Sequence, residues 1–153
     1  MTEFIDTPDN IVGRREVPLT NKEIYEFMKS RCALNHVTVM FRKEAVLKAG
    51  NYQDWFWNED YYLWVRMMMA GCKFANIPDV AVNVRSGADQ YARRGGKKYF
   101  DSEIGIKKLM LDNGMITIIG TVKMWGLQIK EYLTYVWREV MSGRSAMPLV
   151  PKV

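Results

Sequence analysis

The sequence predicts a mixed α/β fold that is incomplete by itself, an α/β half-domain with about three short strands and about four to five helices, ending in amphipathic helices. Three observations lead there. Apolar residues recur at helical spacing in stretches that close on glycine. Short β-branched runs alternate with polar residues between those stretches. About three strands are also too few to make a self-sufficient sheet with helices on its face, so the sheet is expected to be part of a larger one. With 153 residues, the chain has the length of one domain. Its apolar content of 48% is enough for a real core.

Residues 1–19 read as extended and polar, punctuated by Pro8, Gly13 and Pro18, with Asp9-Asn10 favouring a turn. Thr20-Asn21-Lys22-Glu23 has the form of a capping box: a cap hydroxyl and a glutamate three residues on satisfy orphan N–H groups reciprocally. Ile24, Phe27 and Met28 follow at helical spacing, so a helix is expected from 21 to 31. His36 to Arg42 alternates, with Val37, Val39 and Phe41 on one face, and predicts a strand. Lys43 to Ala49 predicts a short helix stopped by Gly50. Asn51 to Trp57 is a loop, after which Asn58 is the expected cap of a helix from Glu59 to Ala70 closed by Gly71. Tyr61, Leu63, Trp64 and Met67–Met69 form its expected core stripe.

Cys72 to Ile77 predicts a strand ended by Pro78, and Val80, Val82 and Val84 predict another that delivers Arg85. Ser86 to Gly96 is a loop rich in Gly, Ser and Arg, followed by a helix from Lys98 to Asp112 with Asn113-Gly114 as its stop. The last helical pattern puts Val122, Trp125, Ile129, Leu133, Val136, Trp137 and Val140 on one face. Three segments result: 1–114, an amphipathic helical segment 115–142, and a tail 143–153 with two prolines and no period, expected to be disordered.

A net charge of +5 suits anionic partners, whether phosphates, nucleic acid or an acidic membrane surface, without choosing among them. The basic residues are scattered and no nucleic-acid-binding pattern occurs, so no nucleic-acid partner is expected. Cys32 and Cys72 make neither a disulfide framework nor a zinc motif, which suits a reducing compartment. Met1-Thr2-Glu3-Phe4 lacks the basic start and apolar run of a secretory signal. No window reaches the ~18 uncharged apolar residues of a spanning helix. The chain is therefore expected in the cytoplasm.

The chemistry-bearing stretch is Trp55 to Met67. Glu59-Asp60 lie in the first turn of a predicted helix, where acids complement the helix dipole. A carboxylate held there among aromatics can equally take a proton from a hydroxyl nucleophile. Trp55 and Trp57 flank the pair on a loop, either as a plug over the core or as flat apolar platforms for a sugar ring or a base. Arg85, Arg93 and Arg94 are either a solvated basic cluster or bidentate phosphate contacts. His36, a lone histidine, is more often structural than a ligand or base, and no second ligand is spaced to chelate metal with it, so no metal ligands are expected in the chain.

Taken in order, Asn35 to Lys43, Ala49-Gly50-Asn51-Tyr52, Glu59 to Met67, Gly71 to Pro78, Val84-Arg85 and Arg93-Arg94-Gly95-Gly96 resemble the C-terminal, acceptor-side half of a family 2 glycosyltransferase with the GT-A fold, of the bacterial surface or exopolysaccharide type. The resemblance spans residues 3–100. It implies inverting transfer of a sugar from a nucleotide-diphosphate sugar to an acceptor hydroxyl, with the aspartate of the Glu-Asp motif, here Asp60, as base and Glu59 orienting the acceptor or its partner. Trp55, Trp57 and His36 become candidates for acceptor contact, and Arg85, Arg93 or Arg94 for phosphate. The family's N-terminal donor half, with an Asp-x-Asp motif holding a divalent manganese or magnesium ion, has no counterpart here. The expectation is therefore a truncated product, one part of a split enzyme or a fragment, inactive alone and paired with a donor-half partner or a second copy. A non-catalytic module binding glycan or a lipid-linked saccharide is the competing expectation. The segment 115–142 is expected either to pack on protein or to touch the inner face of the membrane, where lipid-linked acceptors reside.

Overall fold

The structure, a computed structural model, describes residues 1–85 and 97–117. Arg93, Arg94, most of the 115–142 segment and the 143–153 tail lie outside the described residues. The fold is mixed α/β. Strand β1 (Thr2–Phe4) lies between β2 (Ile11–Arg14), to which it is antiparallel, and β3 (Asn83–Arg85), to which it is parallel.

The first two strands come from the segment expected only to be extended. They join through a turn in which Asp6 takes φ 62° and the Asn10 N–H donates to the Thr7 carbonyl at 2.9 Å. Aspartate tolerates that left-handed backbone better than most residues.

Helix α1 (Asn21–Met28) starts as expected. Thr20 Oγ1 accepts from the Glu23 N–H, and Glu23 Oε2 accepts from the Thr20 N–H at 3.2 Å. Helix α2 (Lys43–Lys48) ends on Gly50 at φ 85°, and Asn51 follows at φ 57°. Helix α3 (Glu59–Met69) closes on Gly71 at φ 80°, and helix α4 (Lys97–Asp112) is followed by Gly114 at φ 69°.

Helix α3 is the axis of the core. Tyr61, Leu63, Trp64, Val65, Met67 and Met68 are all buried, so the helix is covered on most of its circumference. Met69, expected inside, is exposed, and Val65 takes an interior place. Ile24 and Met28 of α1, Val46 of α2, and Ile106 and Met110 of α4 complete the cluster.

Three local expectations are corrected. Residues 36–42 are not a strand: His36–Thr38 form a single 3-10 turn. The Thr38 N–H and Oγ1 both donate to the Asn35 carbonyl, each at 2.8 Å, a local alternative to a ladder. The alternation also has no face to bury, since Val37 and Phe41 are exposed and Met40 is 98% exposed.

Residues 72–77 are not a strand either, because their polar groups serve α1 and its approaches. The Phe74 N–H donates to Asn21 Oδ1, and Asn76 Nδ2 donates to the Pro18 and Ala33 carbonyls. Finally, Asn58 takes the N-cap position of α3 as expected, but its side chain makes no capping hydrogen bond. It is buried, and its Nδ2 donates to Ser102 Oγ at 3.1 Å, tying the helix start to α4.

Candidate active site

The first turn of α3 and the two loops before it converge on Asp60. Its Oδ1 accepts from the Tyr61 N–H at 2.7 Å, which orients the carboxylate at the helix start. Its Oδ2 faces Nδ1 of His36 at 3.9 Å, with both side chains partly exposed. On the far side of the imidazole, Nε2 lies 3.0 Å from the Tyr52 hydroxyl. Burial raises the Tyr52 phenol above its ordinary value, helped by the charges of Asp60 and Glu59. The phenol therefore stays protonated.

The His36 ring is stacked on Tyr52, and the indole of Trp64 meets it edge-on. Phe41 and Tyr52 also lean on Trp64. Three polar atoms in or beside this cluster, Trp64 Nε1, Asn35 Oδ1 and Arg66 Nε, are buried with no hydrogen-bond partner among the described residues, and such orphaned groups call for an explanation.

The loop that carries Tyr52 is held by Arg66, about two turns into α3. Its Nη1 donates to the Ala49 carbonyl and its Nη2 to the Asn51 carbonyl, each at 2.7 Å, and its guanidinium lies over the Tyr62 ring. A Cβ at Gly50 would come within 3.1 Å of Nη1, so the loop approaches α3 closely. Neither Tyr52 nor Arg66 was singled out as a site residue in the sequence. Their signal was contained in the Ala-Gly-Asn-Tyr and Glu-Asp motifs, but nothing local says that the two motifs touch.

The two loop tryptophans differ. Trp55 is stacked on Tyr62 with ring centroids 4.0 Å apart, and its Nε1 donates to the Ser102 carbonyl at 2.9 Å. Its six-membered ring fills the space where a side chain on Gly105 would stand, so it joins the loop, α3 and α4. Trp57 is 49% exposed, touches Phe56 edge-on and sits at φ 57°, a strained backbone for a bulky residue. Glu59 is partly exposed beside Asp60. Arg85 lies away from this group in β3, its guanidinium over the Phe4 ring.

A second polar cluster lies inside the fold. Lys107 of α4 is buried, and its ammonium donates to the Lys29 and Ser30 carbonyls and to the Tyr61 hydroxyl, each at 2.8 Å. Tyr61 in turn donates to the Met28 carbonyl. The last carbonyls of α1, a helix with no basic residue of its own in its final turn, are thus capped by α3 and α4. Cys32 is close by. Burial, then the Asp60 charge, pushes its thiol up to about 12, so it is no nucleophile near neutrality. Among the described residues no three His, Cys, Asp or Glu side chains converge as metal ligands. No helix among them is long and apolar enough to cross a membrane.

Comparison with known proteins bears out the resemblance read from the motifs. Over 97 residues the chain is 41% identical to the amylovoran biosynthesis glycosyltransferase AmsE of Erwinia amylovora, covering 63% of this chain and 36% of that protein. It is 38% identical over 109 residues to an uncharacterized glycosyltransferase of Haemophilus influenzae, covering 71% of this chain and 40% of the relative. It is also 38% identical over 102 residues to an Escherichia coli UDP-Gal:alpha-D-GlcNAc-diphosphoundecaprenol beta-1,3-galactosyltransferase, covering 67% and 37%. The chain spans well under half the length of each of these relatives. No protein-family model matches it, and no solved structure does.

Proposed function

We propose, from this kinship with bacterial glycosyltransferases, that the chain is the acceptor-side portion of an inverting enzyme of family 2 and GT-A type. The complete enzyme would move a sugar from a nucleotide-diphosphate sugar to a hydroxyl of a saccharide or lipid-linked acceptor in surface polysaccharide or glycolipid synthesis. The observation that carries the reading is the carboxylate of Asp60: partly exposed, oriented through one oxygen by the Tyr61 N–H, and open through the other toward His36. An in-line displacement needs such a base on the side opposite the leaving diphosphate.

In this reading Glu59 orients the acceptor, Trp57 offers it an exposed ring, and Trp55 holds the loop that carries Trp57. Arg85 is the described candidate for phosphate contact. A divalent metal on the donor diphosphate belongs to the same reading, with ligands outside this chain. A cytoplasmic site, with contact to the inner membrane face through 115–142, follows from the nature of such acceptors and the net charge of +5.

The test is a chimera in which this chain replaces the matched segment of the Erwinia relative. Asp60→Asn should lower transfer by about 10²–10⁴-fold, the worth of a general base, with donor affinity unchanged. Undiminished transfer, or a loss of donor binding instead, would overturn the role. The exposed ring of Trp57 also suits a second reading, a glycan-binding module without transfer. It gains if the isolated chain binds saccharide while the chimera binds donor normally and never transfers.

A further inference from the structure

Asp60 Oδ2 and His36 Nδ1 are 3.9 Å apart, too far for a direct hydrogen bond and close enough for one oxygen atom to bridge. We propose that Tyr52, His36 and Asp60 form a chain in which the Tyr52 hydroxyl sets the imidazole with its proton on Nδ1, so that the Nδ1–H and Asp60 Oδ2 together seat the acceptor hydroxyl. The proposal rests on the glycosyltransferase reading for what is seated, and on geometry for how.

A neutral imidazole has one donor and one acceptor nitrogen. Were the proton on Nε2, the Nδ1 lone pair would face a carboxylate, an arrangement of like sign. The Tyr52 hydroxyl, 3.0 Å from Nε2, can donate or accept there, so the carboxylate of Asp60 facing Nδ1 decides: the assignment that sets no lone pair against it has the phenol donating to Nε2 and the ring proton on Nδ1. The ring cannot readily turn away. Tyr52 stacks on one side of it, Trp64 meets its edge, and Arg66 fixes the carbonyls on either side of Gly50 that set the loop bearing Tyr52. Asp60 cannot readily turn either, because Oδ1 is held by the Tyr61 N–H.

The incoming hydroxyl oxygen accepts from the Nδ1–H and donates to Oδ2. In the transfer, that oxygen forms a bond to the anomeric carbon and its proton passes to Asp60 Oδ2. The bond from the anomeric carbon to the diphosphate oxygen breaks, its electron pair leaving on the nucleoside diphosphate. His36 keeps its proton and holds the nucleophile's orientation, and Tyr52 is a positioning residue acting through His36.

His36 is the only histidine in the chain, so its side-chain nitrogens can be read without assignment in a ¹⁵N–¹H multiple-bond spectrum. The neutral ring should carry its proton on Nδ1. Both Tyr52→Phe and Asp60→Asn should move it toward Nε2. Nε2 protonation in the native chain, or a pattern that neither variant moves, overturns the proposal. In the chimera, Tyr52→Phe should raise the acceptor KM about tenfold, roughly one hydrogen bond, and leave the donor KM alone. An acceptor KM that does not move overturns the seating step. The two readings fail separately. A native Nε2 proton with transfer still dependent on Asp60 removes the chain and keeps the enzyme. A native Nδ1 proton with transfer independent of Asp60 keeps the chain's geometry and removes the base.

Discussion

Helix α3 carries two polar clusters that differ in how completely they are closed. On the side of α1 and α4, every donor of the Lys107 ammonium has an acceptor, and Tyr61 passes its own proton to Met28. On the side of the His36 turn, Asp60 and His36 face each other across a gap, both partly open to solvent. The closed cluster fixes the mutual position of three helices. The open one leaves room between its two groups for an oxygen atom. The two lie on neighbouring residues, Asp60 and Tyr61, so the rigidity of the first is what holds the second in position.

The comparison breaks if removing the closed cluster costs no more than removing the open one. Lys107→Met leaves the part-buried Lys29 and Ser30 carbonyls and the buried Tyr61 oxygen without their donor. It should cost about 3 kcal/mol in urea unfolding, the upper end of the penalty for leaving a polar group unpaired, because three acceptors lose one donor. Asp60→Asn, at a partly exposed position, should stay within about 0.5 kcal/mol. Next in size is Gly105→Ala. Its Cβ would stand 2.5 Å from the Trp55 ring, and that ring is clamped between Tyr62 and the Ser102 carbonyl. Overpacking of this kind costs about 1–3 kcal/mol. The quenching of tryptophan fluorescence should change with it, and an unchanged stability would show that Trp55 is free to move.

The open cluster was far more legible in the sequence than the closed one. Glu59-Asp60, the loop tryptophans and the glycine stops at Gly50 and Gly71 are local features with local causes, and the capping box at Thr20 is another. Nothing local singles out Lys107 in the sequence, since what it caps lies 77 and 78 residues away. The misread strands have the same origin. Alternation from His36 to Phe41 describes a face, but a strand also needs a neighbour, and Thr38 found Asn35 instead. Conversely, β1 and β2 lacked any strong pattern and pair because the turn at Asp6 brings them together.

The alkaline pH dependence of stability bears on the same contrast, because most of the groups that set it lie in or beside the closed cluster, Tyr52 being the exception. Burial pulls Lys107 down from 10.5 to about 8, with the Glu103 charge opposing. Between these values the folded lysine has released a proton that the unfolded one keeps. The unfolded state then binds more protons, so stability rises with pH. From pH 9.0 a second group opposes the gain: the unfolded Cys32 thiol ionises there while the folded one holds its proton up to about 12, which offsets Lys107 one proton for one. Tyr61, raised well above 10.0 by burial, then turns the balance to a loss. Urea midpoints should therefore pass through a broad, shallow maximum between pH 9.0 and 10.0. Lys107→Met should abolish the rise and keep the fall. A maximum that survives this substitution would assign it to other groups.

The smallest stability effect is expected at Trp57, and its sign is informative. The residue sits at φ 57° with half its surface exposed, and its ring meets Phe56 edge-on. Trp57→Gly removes a left-handed strain of about 1 kcal/mol, and the flexibility of glycine in the unfolded chain returns most of that, about 0.5–1 kcal/mol. The urea midpoint should stay level or rise slightly. Trp57→Ala keeps the strain and loses the ring, so it should lie slightly below. If the exposed indole is the acceptor's platform, both variants lose saccharide binding alike, measured by titration of the chain with an oligosaccharide. If instead both lose stability by more than about 1 kcal/mol, the ring is packing on the fold as Trp55 does. The distinction between one tryptophan that holds the loop and one that the loop presents would then collapse.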